Sequence, residues 1–358
     1  MTPGRWPDRR FAALLGSRLP LVQAPMAGAG GVALAVGAIA GGAVGSLPCA
    51  MLRADQVRTD AAEVRRRAAG PLALNFFCHR MPRSSDDAAW RRLLQPFHRE
   101  LDVDPETSGG AARRPFDEEM CAAVEEIRPE IVSFHFGLPD PPLLERVRRT
   151  AAKVLGNATS VAEARSLAAS GVDAIIAQGW EAGGHIGRFL DAPHERQLGL
   201  FALLPQIVDA VRLPVIAAGG IADGRGVAAA MMLGAAAVQI GTAYLRCPES
   251  LIAPAHRQAL ASPLAEQTEF TNLYSGGLAR GLPTRLTEAL GPIRDEVPSF
   301  PLASAALAPL AEAAERRGES GFRPMWAGQS AALAPVLPAR DLTERLGAEA
   351  LALLGRED

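Results

Sequence analysis

Asp173-Ala-Ile-Ile-Ala-Gln-Gly-Trp-Glu-Ala-Gly-Gly-His-Ile-Gly187 changes character halfway along. Residues 173–177 are a short apolar run of the kind that forms a buried strand. Residues 178–187 hold four glycines in ten positions. Such a run supports neither helix nor strand, because each glycine adds backbone entropy to be lost and offers no side chain to pack. A glycine loop at the end of a buried strand serves where backbone must come close to something else. Its one histidine, His185, stands between Gly184 and Ile186 with little local bulk. A solvated surface turn would account for the glycines. A ligand-cradling loop with a working histidine accounts for the glycines and the histidine together.

Outward from this loop, short apolar runs alternate with alanine-rich amphipathic stretches. Strands are expected at 21–24, near Gly45, and at 72–75, 131–134, 153–155, 174–177, 214–217 and 237–240. Helices are expected at 32–39, 55–68, 117–127, 161–169, 200–211 and 225–233. Strand–helix alternation implies parallel strands with helices outside. Eight such units in about 240 residues fit a closed (β/α)8 TIM barrel better than an open doubly wound sheet. The expected division is a barrel over residues 1–246 and a helical extension, without strands, over 247–358. Residues 78–116 break the pattern and are expected as an insertion, with a Ser-Ser-Asp-Asp capping signal at 84–87 and a mixed polar helix at 90–94. Phe322, Met325 and Trp326 call for burial, so the extension is expected to pack on the barrel.

Composition narrows the function. The 358 residues are 48% hydrophobic and carry a formal net charge of −2, so nothing points to a polyanion-binding surface. The four cysteines, Cys49, Cys78, Cys121 and Cys247, are widely spaced and read as reduced packing thiols. With neither an apolar signal core nor a membrane-length apolar run, a soluble cytoplasmic protein is expected. Lys153 is the sole lysine and falls at the start of a strand, which sets Schiff-base chemistry aside. His194-Glu195 resembles a metalloprotease fragment only superficially, and no metal site is expected.

In a (β/α)8 barrel the working residues project from the carboxyl ends of strands. Those ends carry Gln23 through Met26, Asn75, His135, Gln178 with its loop, Ala218-Gly-Gly220 and Gln239-Ile-Gly-Thr242. Phosphate sites in such barrels use the loops after strands seven and eight, and bare amides at Gly219, Gly220 and Gly241 suit one. Asn75, Gln178 and Gln239 can each donate and accept at the edge of a heterocycle, and Pro25-Met26 offers an apolar surface for a flat ring. A phosphorylated planar cofactor fits this set, FMN best. A tightly held dinucleotide does not, since no Gly-x-Gly-x-x-Gly opens an early unit.

The same residues carry a resemblance to the nitronate monooxygenases, formerly 2-nitropropane dioxygenases, of the bacterial class I kind. It runs from about residue 19 to 332. It rests on Gln23-Ala-Pro-Met-Ala-Gly28, Leu74-Asn-Phe-Phe-Cys-His79, Val132-Ser-Phe-His-Phe-Gly-Leu-Pro139 and Gln178–His185. Pro214–Asp223, Gln239–Thr242 and Trp326-Ala-Gly-Gln329 complete it. The resemblance implies an FMN-dependent barrel that oxidises alkyl nitronates with O2 to carbonyl compounds and nitrite. It implies FMN contacts at Pro25, Met26, Asn75, Gln178, Gly183, Gly184, Gly219, Gly220, Gln239, Ile240, Gly241 and Thr242. It implies His185 as the catalytic histidine, with His135 shaping the substrate end; a packed core histidine is the other reading of His135. The chain departs from the family pattern at Ala29-Gly-Gly31, at Ile186-Gly187 and at Gly277-Leu278, and the last two are expected to border the substrate. The glycine-histidine loop is also similar to that of FMN-dependent enoyl-acyl-carrier-protein reductases and of NAD(P)H:quinone reductases. Either would use NAD(P)H, and the first would dock a carrier protein. A flavin-free binding barrel is the third reading.

Overall fold

A computed structural model describes residues 6–8, 10–83, 86–110, 113–190, 193 and 196–355. Met1 to Arg5, Ser84-Ser85 of the capping signal, and His194-Glu195 lie outside the described residues. The strands are β1 (Leu21–Gln23), β2 (Gly45–Pro48), β3 (Leu72–Phe77), β4 (Ile131–His135), β5 (Lys153–Ala158), β6 (Ala174–Gln178), β7 (Val215–Ala218) and β8 (Ala237–Ile240). Each pairs in parallel with the next, β1 pairs with β8, and a parallel bridge between Val22 and Val44 closes the ring. The fold is the expected eight-stranded parallel barrel.

Two apolar clusters reflect the period of two along these strands. Val22, Ala73, Ile131, Leu155, Ile176 and Ile216 share one cluster with Phe11 and Leu15 of the helix Arg10–Leu15. Leu21, Leu72, Leu74, Val132, Val154 and Ile175 share the other with the apolar faces of the surrounding helices. The helix Pro141–Arg149, between β4 and β5, was not anticipated. Its Pro-Pro start reads as a break in sequence, yet proline is well placed at a first helical turn, where its fixed φ helps and its missing N–H is not needed.

The helix Ala339–Leu354 lies between the helices Val32–Gly41 and Gly224–Met232, the place of the eighth helix of the ring. Small residues permit the approach: a Cβ on Gly41 would come within 2.5 Å of the Thr343 Cβ. Between β8 and this helix, residues 247–338 rise over the barrel mouth.

There they meet the insertion, whose helix Ala88–Leu101 is longer than the expected 90–94. Trp90, Leu94 and Phe97 pack with Leu273, Leu286, Leu307, Leu310 and Phe322 into a separate apolar core, and the Trp90 indole donates to the Ala303 carbonyl at 3.2 Å. The cap is not purely helical. Strands Glu269–Thr271 and Ala279–Gly281 pair antiparallel, and the second also pairs with Gly184–His185. This corrects the expectation of an extension without strands. Three-residue strands carry too little alternation to stand out in sequence, and their partner is a loop of the barrel rather than a neighbour in the chain.

No described helix is long and apolar enough to cross a membrane. The four cysteines are free, and burial pushes the Cys247 thiol up to about 12.

Candidate active site

Gln178, the last residue of β6, organises the loop that follows. Its carbonyl oxygen accepts from the Gly187 N–H at 2.8 Å and from the Asn157 amide at 3.0 Å, and its own amide donates to the His185 carbonyl at 2.9 Å. The Gln178 side chain, expected at the edge of a heterocycle, clamps both ends of the glycine-histidine segment. Glu181 accepts from the Leu200 N–H at 2.8 Å and so fixes the start of the helix Leu200–Ala210. Gly183 is crossed by the 326–329 strap: a Cβ there would lie 2.5 Å from the Gly328 nitrogen. Gly184 sits at φ +75°, a conformation that favours glycine, with open space where a Cβ would be. The result places His185 on a short strand, paired with Ala279 across the ladder.

The His185 ring is walled by aromatic groups. Phe300 lies 5.2 Å away between centroids, Trp326 5.5 Å and Phe77 6.2 Å. Its Nε2 shares a 2.8 Å hydrogen bond with the Ser275 hydroxyl. Enclosure by protein holds its pKa well below the usual value, and the nearby positive charge of Arg113 pushes the same way. His135 is lowered to about 4, chiefly by burial. Its Nε2 lies 3.2 Å from the His185 carbonyl, which can only accept, so the one proton of this neutral ring belongs on Nε2. His135 thus lines the cavity and also steadies the backbone of His185. Burial lowers His79 as well, and brings His256 to about 4. All four imidazoles are neutral at pH 7.

Across the barrel, Gly219 and Gly220 follow β7 with φ of +114° and +69°. Among the described residues nothing accepts a hydrogen bond from the N–H groups of Gly219, Gly220 or Gly241. Donors left free at neighbouring strand ends are the feature a phosphate needs. The Thr242 hydroxyl accepts from the Gly328 N–H at 2.9 Å, tying this end to the strap.

One cavity of about 1030 Å3 connects these groups, bounded by Pro25, Met26, Asn75, Gln178, Gly183, Gly184, His185, His135, Gly219, Gly220, Gln239, Gly241 and Thr242. That is at the upper end of small-molecule sites, room for a cofactor with a substrate beside it. Asn75 donates to the Ser133 hydroxyl at 2.9 Å. Ile240 departs from its expected place. It is buried in the apolar core outside the cavity wall, because alternation turns it away when Gln239 faces in. Ile186 is likewise buried, off the cavity wall, with its N–H on the Leu278 carbonyl at 3.0 Å. With Ser275 and Gly277 it backs His185 rather than bordering the cavity.

Three contributors were not anticipated. Asn157 braces Gln178, and it was missed because β5 was expected to end at 155. Ser275 stands two residues before the variant Gly277-Leu278, and no motif singles it out. Arg113 comes from the insertion, which was read for its boundaries and not for its chemistry.

Free amides at β7 and β8, a neutral histidine at β6 and a covered mouth define a ligand-binding (β/α)8 barrel, with backbone donors at one end of its cavity and a histidine at the other. The chain belongs to the nitronate monooxygenase family, whose sequence profile matches residues 10–349. Members of that family are flavin-dependent enzymes that oxidise nitronates. A nitronate monooxygenase of Paraburkholderia phytofirmans is 42% identical over 348 residues, which is 95% of this chain and 94% of that one. The solved nitroalkane oxidase of Streptomyces ansochromogenes superposes with a TM-score of 0.87 at 34% identity, covering 96% of this chain and 98% of that one. FabK from Thermotoga maritima is more distant, with a TM-score of 0.72 at 25% identity and 96% of each chain covered.

Proposed function

We propose that this protein binds FMN and oxidises alkyl nitronates with O2 to a carbonyl compound and nitrite. The observation that carries this reading is the cavity itself. It joins unused backbone donors at Gly219, Gly220 and Gly241 to a neutral His185. Those donors suit the phosphate. Met26 and Pro25 would give an apolar bed for a flat ring, and Asn75 and Gln239, on the same cavity wall, would hydrogen-bond its polar edge. FMN, when bound, supplies the redox chemistry.

The protein's part is to bind, orient and move a proton. A neutral imidazole can accept a proton from the α-carbon of a nitroalkane, so His185 serves as general base for neutral substrates. A nitronate has already lost that proton and needs only to be held. Ser275 fixes the ring through Nε2, and Gln178 and His135 hold the His185 carbonyl, which makes them positioning residues. Phe77, Phe300 and Trp326 keep the compartment apolar.

The test is to mix the FMN-loaded protein with an alkyl nitronate in air and, separately, with NADH without oxygen. Nitrite from the first and a slow or absent bleaching in the second are expected. Rapid bleaching by NADH with no nitrite would replace this reading with that of an NADH-dependent reductase.

A further inference from the structure

The charged side chains on the cavity wall are nearly all spent on one another. Glu181 caps a helix, Arg323 pairs with Glu315, and Glu319 pairs with Arg285. Arg113 is different. Its side chain reaches the same cavity, half-buried, and among the described residues no carboxylate or carbonyl accepts from its guanidinium. A cation drawn out of water without a partner is costly, so its retention asks for an anion from outside the chain.

Its position is set by the insertion. The Phe116 N–H donates to the Phe77 carbonyl at 2.7 Å, and the Phe116 ring packs on Phe76 and Phe134 at 4.9 and 5.3 Å. This pins the segment against the ends of β3 and β4. In a ring of eight, β3 and β4 lie opposite β7 and β8, so Arg113 stands across the barrel from the free glycine amides. The Phe77 ring lies 6.2 Å from that of His185, and the Arg113 charge acts on His185, so Arg113 is on the His185 side of the cavity.

We propose that Arg113 is the anion-binding and specificity-determining residue of the substrate compartment, its guanidinium holding the two oxygens of the nitronate group. The inference rests on the functional reading given above. A nitronate is a planar anion with two oxygens on one nitrogen, and the guanidinium fork matches that geometry with two parallel N–H donors. The three imidazoles on this side, His79, His135 and His185, are held neutral, which leaves Arg113 as the positive charge that meets the substrate. Arg113 then favours the anionic nitronate over the neutral nitroalkane, and His185 extends the range to substrates that must first lose a proton.

Arg113→Gln and Arg113→Lys, each checked for retained flavin, test this. With Arg113→Gln, KM for a small alkyl nitronate rises about 10- to 100-fold, the scale of a lost charge-assisted hydrogen bond. KM for the matching neutral nitroalkane changes less than about threefold. Arg113→Lys, which keeps the charge and loses the fork, falls between. A second readout needs no turnover: nitrate, a planar oxyanion, is titrated into the resting flavoprotein and followed by the flavin absorbance. Its Kd is expected to rise by a similar factor in Arg113→Gln. Equal effects on nitronate and nitroalkane, or nitrate binding unchanged by the substitution, would overturn the assignment. If the unaltered protein releases no nitrite from nitronates, the functional reading fails, while the nitrate titration still decides for or against Arg113 as an anion site.

Discussion

The chemistry at His185 follows from where its proton cannot go. A ring shut in by Phe77, Phe300 and Trp326 resists charging, and Arg113 resists it further, so the folded pKa lies well below the free value of about 6.5. A general base must be unprotonated. Turnover of a neutral nitroalkane, as kcat/KM, is therefore expected to stay level from pH 8 down to 6.5 and to fall only in more acid solution. A midpoint at or above the free histidine value would contradict the burial argument. His185→Asn is expected to reduce nitroalkane turnover roughly 10²- to 10⁴-fold with FMN still bound, the usual range for general-base help. Steady-state nitrite assays beside flavin absorbance would measure both. His185 was legible in the sequence because a histidine among glycines at a strand end has few other uses. Gln178 and Ile240 were legible as neighbours of the site, but not in their roles. Gln178 is occupied by partners nine and twenty-one residues away, Gly187 and Asn157. Ile240 falls on the wrong side of an alternating strand.

At the level of elements, the loop keeps its shape because two stretches of backbone touch. A Cβ at Gly183 would meet the Gly328 nitrogen at 2.5 Å and the Ala327 carbonyl carbon at 2.6 Å, with no flexible side chain to yield. Gly183→Ala must push the 326–329 strap away from the loop. The expected result is weaker flavin retention and a thermal midpoint lower by several degrees, of the order that 1–3 kcal/mol of overpacking produces. Differential scanning fluorimetry with and without added FMN checks it; an unchanged midpoint and full flavin content would show that the contact is slack. The sequence displayed both motifs, yet nothing local says that 183 and 328 meet. That pairing is made by the cap, whose short strands have too few residues to register as a pattern.

Over the whole molecule, the barrel was readable because eight strand–helix units repeat, and the cap was not, because its core joins residues 90–101 to 273–322 across a long separation. Burial of histidines also links the fold to pH. His135 and His256 have folded values of about 4 against an unfolded value near 6.5. Above pH 6.5 neither state takes up the proton. Between 6.5 and 4 the unfolded chain binds protons that the native state refuses, so stability is lost as pH falls through that window. The urea midpoint is expected to decline from pH 7 to pH 4.5, and His256→Gln, which removes one such group, to flatten the decline. A midpoint independent of pH over that range would show that these histidines do not link protonation to folding.

Loaded with FMN, the covered mouth of this barrel is expected to oxidise nitronates without NADH. The measurement is nitrite release from an alkyl nitronate in air-saturated buffer with no pyridine nucleotide present. Many turnovers of nitrite per bound flavin, with matching carbonyl product, are predicted. No nitrite from a fully flavin-loaded protein would contradict it.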